Sequence, residues 1–282
     1  MTRMSEGWLA VLLSLGVTLG TWARVGACDE PRPLSGTTGT FSIAAADPDS
    51  GVCGAAVASK YPAVGKVVPY ARAGVGAFCT QHWHHPPWGQ RALDLLQAGK
   101  APEEVLAELL EGDPQRGFRQ LGIIDVRGRA AHRNCHDAKP DGRWWGAMSG
   151  RFYTCQGNTL TGPEVIIDMA KAYEQTTGSL ADRLMAALVA GDRAGGDHRG
   201  RLAAGVRVAR PGVEGYWLEL HVDHHDDAVT ELARKYAQLD HPAKGKGPKP
   251  VTVHGDCPNF RPETARKMSQ SPARERLPKP SP

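Results

Sequence analysis

The sequence predicts an α+β domain. Three observations carry that expectation. The 282 residues are 41% apolar and 23% charged, a balance that suits a globular core. Apolar stretches with a period near two come in groups, and so do stretches with a helical period. The order is strands, helices, strands, helices, strands, helix, which is not the alternation of a βαβ protein.

Taken in order, Thr40–Asp47 and Val52–Ser59 read as strands joined through the turn formers Asp47-Pro48-Asp49-Ser50-Gly51. Val67–Ala71 and Gly74–Thr80 read as further short strands. Gln90–Ala98 follows as a helix stopped by Gly99, and Pro102 opens a second one through Leu110. Leu121–Val126 and Ala130–His132 pair around the turn at Arg127-Gly128, and Phe152–Gln156 is another strand. Helices are expected from Pro163 to Glu174 and over Leu180–Ala190. Strands Leu202–Ala209 and Tyr216–His221 close the sheet, and Ala228–Leu239 is the final helix.

The flanks differ from this middle. Residues 1–27 read as a secretory signal, with Arg3 before an apolar stretch from Trp8 to Leu19 and small residues at Val25-Gly26-Ala27. The stretch is shorter than the roughly 20 residues of a membrane span. Cys28 directly after Ala27 allows two outcomes: ordinary export, or acylation of Cys28 and attachment to a membrane. An uncleaved buried helix is a third. An exported, periplasmic, cell-envelope or extracellular location follows from the first two. Residues 28–39 are a linker. Residues 240–282 hold nine prolines, nine Lys/Arg and four Asp/Glu, and read as a disordered basic tail. Without that tail the chain is close to neutral, so nothing in its charge argues for nucleic acid as a partner. Six cysteines allow 15 disulfide pairings, and no CxxC is present.

Seven blocks in order resemble one family: Thr40-Phe41-Ser42-Ile43, Ala58–Gly65, Ala73–Ala77, Arg119–Asp125, Gln156-Gly157-Asn158 with Gly162-Pro163-Glu164, Gly195–Gly200, and Leu220–Asp223 with Asp227–Val229. This is similar to an uncharacterised bacterial and archaeal domain family related to the N-terminal nucleophile (Ntn) hydrolases, over residues 40–239. The resemblance implies a four-layer αββα sandwich, hydrolysis of an amide bond without a cofactor, and a small-molecule or cell-wall peptide substrate. A homo-oligomer is expected as well. It also implies a Thr, Ser or Cys at the start of the mature chain, whose free α-amine acts as base for its own side chain. Thr40 is the position that fits, and exposing it requires a cut between Gly39 and Thr40.

Further residues follow from that reading. Lys60 is expected beside the site, where a cation lowers the amine pKa or stabilises charge. Ser59 is its small polar neighbour. The Gln156-Gly157-Asn158 stretch either offers backbone N–H groups and the Asn158 side chain to an oxyanion or forms a tight turn before the helix. Asp197 and Arg199 either pin a Gly-rich loop or bind a substrate carboxylate. Leu202 stands where the family usually has Gln.

Two rival readings remain. Trp83, Trp88, Trp144 and Trp145 suit a sugar-stacking platform, which would make a non-catalytic envelope-binding protein. The runs His82-Trp83-His84-His85 and His221–Asp227 suit a metal-dependent hydrolase, with His82 and His84 on one face if the segment is extended. In the second run Asp226 or Asp227 is expected to cap the last helix.

Overall fold

The computed structural model describes residues 40–136, 143–239 and the backbone of 251–253. The signal, the linker, Cys28, Cys257 and all of the tail but 251–253 lie outside the described residues. Those three residues form a short strand within the expected tail, parallel to Leu218–Val222.

β1 (Thr40–Asp47) and β2 (Val52–Ser59) form a hairpin with the predicted bounds. Its turn is built by Asp47. One carboxylate oxygen accepts from the Asp49 N–H at 3.1 Å and the other from the Ser50 hydroxyl at 2.6 Å. Gly51 completes it at φ +71°, a conformation that favours glycine. β8 (Tyr153–Leu160) lies on the other side of β1, so the first strand of the domain is central in its sheet. With β7 (Trp144–Gly150), β9 (Ala203–Ala209), β10 (Leu218–Val222) and β11 (Val251–Val253) the order is β11-β10-β9-β2-β1-β8-β7. A second, wholly antiparallel sheet runs β3 (Pro69–Arg72), β4 (Gly76–His82), β5 (Arg119–Asp125), β6 (Ala130–Arg133). In the first sheet all pairs are antiparallel except β10–β11.

Strand alternation sorts the side chains of β1 into two environments. Phe41, Ile43 and Ala45 face α3 (Glu164–Gln175), α4 (Leu180–Arg193) and α5 (Ala228–Ala237) in one apolar cluster with Leu160, Met169 and Leu184. Ala44 and Ala46 face the second sheet, meeting Ala55, Val57, Ala77, Cys79 and Ile124 in another cluster. A third cluster joins Phe78, Leu121 and Ile123 of the second sheet to α1 (Pro87–Gln97) and α2 (Pro102–Leu110). Strands buried on both faces explain why β1 and β2 read as near-continuous apolar runs. Burying one such side chain as large as Phe41 contributes roughly 1.5–3 kcal/mol.

Helix α2 opens on Pro102 as predicted. Helix α4 starts with a reciprocal cap: the Ser179 hydroxyl accepts from the Asp182 N–H at 3.2 Å, and the Asp182 carboxylate accepts from the Ser179 N–H at 2.9 Å. Asp227 occupies the N-cap position of α5, but its side chain makes no capping bond; its N–H donates instead to His225 Nδ1 at 3.0 Å.

Three expectations need correction. The strand β7 was not foreseen, because it is a partly exposed edge with glycine at two of its seven positions. β8 runs on to Leu160, so Gln156-Gly157-Asn158 is strand rather than a tight turn. Several bounds shift as well: β4 begins at Gly76 and ends at His82, β3 spans Pro69–Arg72, and α1 spans Pro87–Gln97. No helix among the described residues is long and apolar enough to cross a membrane.

Candidate functional site

The space between the two sheets changes character along the strands. At one end it is alanine, valine and cysteine. At the other, where β1 begins, it is lined by Thr40, Ser42, Ser59, Gln81, Gln120, Gln156 and Asn158, all buried. Register brings them together: Thr40 lies opposite Ser59 of β2 and opposite Asn158 of β8, and Ser42 lies opposite Gln156. From the second sheet, Gln81 lies opposite Gln120.

Buried polar groups need partners, and here they find one another. Thr40 Oγ1 is 3.1 Å from Ser59 Oγ, which also accepts from the Tyr61 N–H at 2.9 Å. The Ser42 hydroxyl donates to Gln81 Oε1 at 2.5 Å and accepts from Gln156 Nε2 at 2.6 Å. Gln81 Nε2 donates to Gln120 Oε1 at 2.7 Å, and Gln120 Nε2 donates to the Gly157 carbonyl at 2.7 Å. Asn158 Nδ2 donates to Gln120 Oε1 at 2.8 Å. Gly122 of β5 makes room for this network: a Cβ there would fall 2.0 Å from Gln156 Oε1. The lining is made of hydroxyls and carboxamides, so none of these side chains is a base at neutral pH.

Of the residues foreseen, Thr40, Ser59 and Asn158 converge. One Asn158 N–H is spent on Gln120, and its carbonyl oxygen is buried without a partner among the described residues. That oxygen is an acceptor, whereas the oxyanion role expected from the sequence calls on the N–H donors of the same side chain. Lys60 leaves the end of β2 half-buried, with Nζ 3.9 Å from where a Cβ on Gly200 would stand, and it forms no ion pair among the described residues. Asp197 is almost wholly buried. Its carboxylate accepts from the Lys60 N–H at 3.1 Å, the Arg199 N–H at 3.0 Å, and Arg199 Nε and Nη2 at 3.1 Å each. The pair therefore pins the Gly-rich loop to the end of β2, the first of its two expected roles. Leu202 continues this attachment through its N–H, which donates to the Ser59 carbonyl at 2.9 Å.

The tryptophans have separate packing partners. Trp88 is buried in the cluster around α1 and α2, and Trp144 packs against the helix-side cluster. Trp83 stacks on Phe118 with centroids 4.8 Å apart, and Trp145 meets His82 edge-on at 4.8 Å. Arg119 ties this region down. It donates to Asp113 at 2.8 Å and to the Trp83 carbonyl, and its guanidinium lies over the Trp88 ring at 5.1 Å.

The histidine runs are dispersed as well. His82 has φ +62°, so the extended path that would align it with His84 is broken. His84 packs against the Tyr61 ring at 5.3 Å, and burial, with Arg119 and His85 nearby, pushes its pKa down to about 3. In the second run His221 and Asp223 are buried, with Asp223 paired to Lys66, while His224 and His225 are exposed. Among the described residues no three His, Cys, Asp or Glu side chains are grouped to hold a metal ion.

Cys53, Cys79 and Cys155 are buried free thiols, and Cys135 is buried as well. Burial raises Cys53 and Cys79 to about 12.

Gln81, Gln120 and Ser42 escaped the sequence reading as site residues. Their signal is a polar residue at the inward position of an otherwise apolar strand, visible only once the inward face is known.

Fold and site together define a mixed α+β protein with two sheets, five helices and a buried, uncharged polar end between the sheets among the described residues. The chain belongs to the family of unknown function DUF1028, whose model matches residues 40–232. It is similar to a crystal structure of a DUF1028 protein from Silicibacter pomeroyi, at 28% identity and a TM-score of 0.65, over 72% of this chain and 90% of that one. Among curated proteins none matches the chain.

Proposed function

We propose that this protein is an exported amide-bond hydrolase of the N-terminal nucleophile type, with Thr40 as nucleophile. The layering of α3–α5, two sheets and α1–α2 supports the Ntn αββα sandwich as its fold. One observation carries the reading. Thr40 opens the central strand and turns its hydroxyl into the buried polar end between the sheets, 3.1 Å from Ser59 Oγ. A cut of the Gly39–Thr40 bond would place a free α-amine in a site whose lining side chains supply no base of their own. That amine titrates near 8 and is largely deprotonated in mildly alkaline solution.

The reaction follows from those parts. Thr40 Oγ1 attacks the substrate carbonyl carbon while the α-amine takes the hydroxyl proton. The amine then delivers that proton to the leaving nitrogen, the C–N bond breaks, and an ester to Thr40 remains. Water, deprotonated by the same amine, attacks the ester. The acid product leaves and Thr40 regains its proton. Ser59 holds the hydroxyl in place. Lys60, next to Ser59 at the end of β2, suits a substrate anion, and Asp197 with Arg199 holds the loop beside it. A cell-wall peptide, with its carboxylates, is the substrate class we favour.

The test begins with the N-terminal sequence and intact mass of the mature chain from its own host. We expect a chain starting at Thr40 and hydrolysis of muropeptides that Thr40→Ala reduces on the order of 10³-fold or more. A mature chain that retains residues ahead of Thr40, or hydrolysis unchanged in Thr40→Ala, overturns the proposal.

A further inference from the structure

The Asn158 carbonyl oxygen, an acceptor in a fully buried side chain, has no hydrogen-bond partner among the described residues. Leaving such a group unpaired costs about 1–3 kcal/mol, so its orientation matters. Carboxamide ends are easily interchanged, but here backbone carbonyls fix them. Gln81 Nε2 lies 3.4 Å from the Thr40 carbonyl and 3.3 Å from the Gln156 carbonyl, which only accept. Gln120 Nε2 likewise faces the Gly157 carbonyl at 2.7 Å. Gln120 must therefore present Oε1 to Asn158, and Asn158 must answer with Nδ2. Its Oδ1 is then turned away from Gln120.

The direction of the Thr40 backbone supplies the second half. Alternate residues of an antiparallel strand send both backbone groups to the same neighbour. The Ala46 N–H donates to the Phe152 carbonyl at 3.1 Å, on the β8 side. The register between β1 and β8 is unbroken from Thr40↔Asn158 to Ala45↔Tyr153. Thr40, of the same parity as Ala46, thus directs its nitrogen to β8, where its N–H faces the backbone carbonyl of Asn158; a free amine carries further hydrogens for a second acceptor on the same residue, while Ser59 on β2 takes the hydroxyl.

We propose that Asn158 Oδ1 is the second acceptor, beside the Asn158 backbone carbonyl, for the free α-amine of Thr40, holding the base on one side of the residue while Ser59 holds the hydroxyl on the other. This rests on the hydrolase reading above. It makes Asn158 a catalytic residue through contact with the reacting nitrogen, and it favours the protonated amine.

The mature chain and its Asn158→Asp and Asn158→Ala variants, isolated from the host, are labelled at the N-terminal amine by a competitive acylating reagent across pH. A carboxylate at this position is expected to raise the amine pKa by about 1–3 pH units. That moves the acid limb of kcat/KM to higher pH. Alanine is expected to lower both. Folded variants, with native near-ultraviolet circular dichroism, whose amine titrates as in the wild type overturn the inference. A crystal structure of the mature wild-type chain decides the matter without any variant. Oδ1 within hydrogen-bond distance of the Thr40 nitrogen supports the inference, and a separation beyond that distance overturns it. A chain starting at Thr40 that hydrolyses substrate but shows neither effect sinks this inference alone. A chain that never starts at Thr40 sinks both proposals.

Discussion

Replacing Gly122 by alanine should damage the protein through a single side chain. A new Cβ would meet Gln156 Oε1 at 2.0 Å, its Cδ at 2.4 Å and its Nε2 at 2.7 Å. Glycine has no conformational role at this strand position, so the exchange would ordinarily gain about 0.4–1 kcal/mol from the unfolded state. Forcing an atom into a filled core costs about 1–3 kcal/mol. Gln156 can escape only by giving up Ser42, to which it donates at 2.6 Å, and stranding that buried hydroxyl's partner costs about 1–3 kcal/mol more. The net expectation is a loss of about 2–4 kcal/mol, read from urea unfolding as a lower midpoint with unchanged slope. Truncating the obstacle should relieve it, so Gly122→Ala combined with Gln156→Ala should lose less than the sum of the two single changes. A Gly122→Ala protein as stable as the wild type, or strictly additive behaviour, would refute the close packing of Gly122 on Gln156.

Three further outcomes are expected. His84 binds a proton near pH 6.5 when unfolded and only near pH 3 when folded, so the unfolded state holds the extra proton between those values. Its contribution is intact above 6.5 and erodes as pH falls, by about 2 kcal/mol at pH 5; His84→Leu should flatten the stability–pH curve measured by urea unfolding at pH 7 and 5. Asp197→Ala should release the loop that the carboxylate ties to Lys60 and Arg199, so hydrogen exchange over residues 195–202 should speed up markedly while the central strands stay protected. Thiol labelling with iodoacetamide at pH 8 should leave Cys53, Cys79 and Cys155 unmodified until denaturant is added, since burial holds all three as thiols.

Much of the fold was legible from local chemistry. β1, β2 and α2 have the bounds that turn residues and Pro102 announce. β7 was not legible, because an edge strand with one exposed face carries little apolar signal. The site was legible only in part. Thr40, Ser59 and Asn158 sit in blocks whose sequence attracts attention, but Gln81 and Gln120 belong to strands far apart in the chain and meet through sheet packing alone. The histidines and tryptophans draw the eye because their side chains advertise chemistry, but His84 and Trp88 are packed inside while His224 and His225 lie exposed and apart from them.

The central place of β1 also sets a timetable. As the chain is synthesised, Thr40 can pair with Ser59 almost at once, since a short hairpin joins them. Its other flank, Asn158, and the strand β9 beyond β2 arrive much later, and contacts so distant in sequence form slowly. A nucleophile of the kind proposed for Thr40 would, built this way, be inert in the nascent chain. Any maturation that used the finished site would have to wait until nearly the whole domain had been made and assembled, and the growing polypeptide would be protected from the chemistry proposed above.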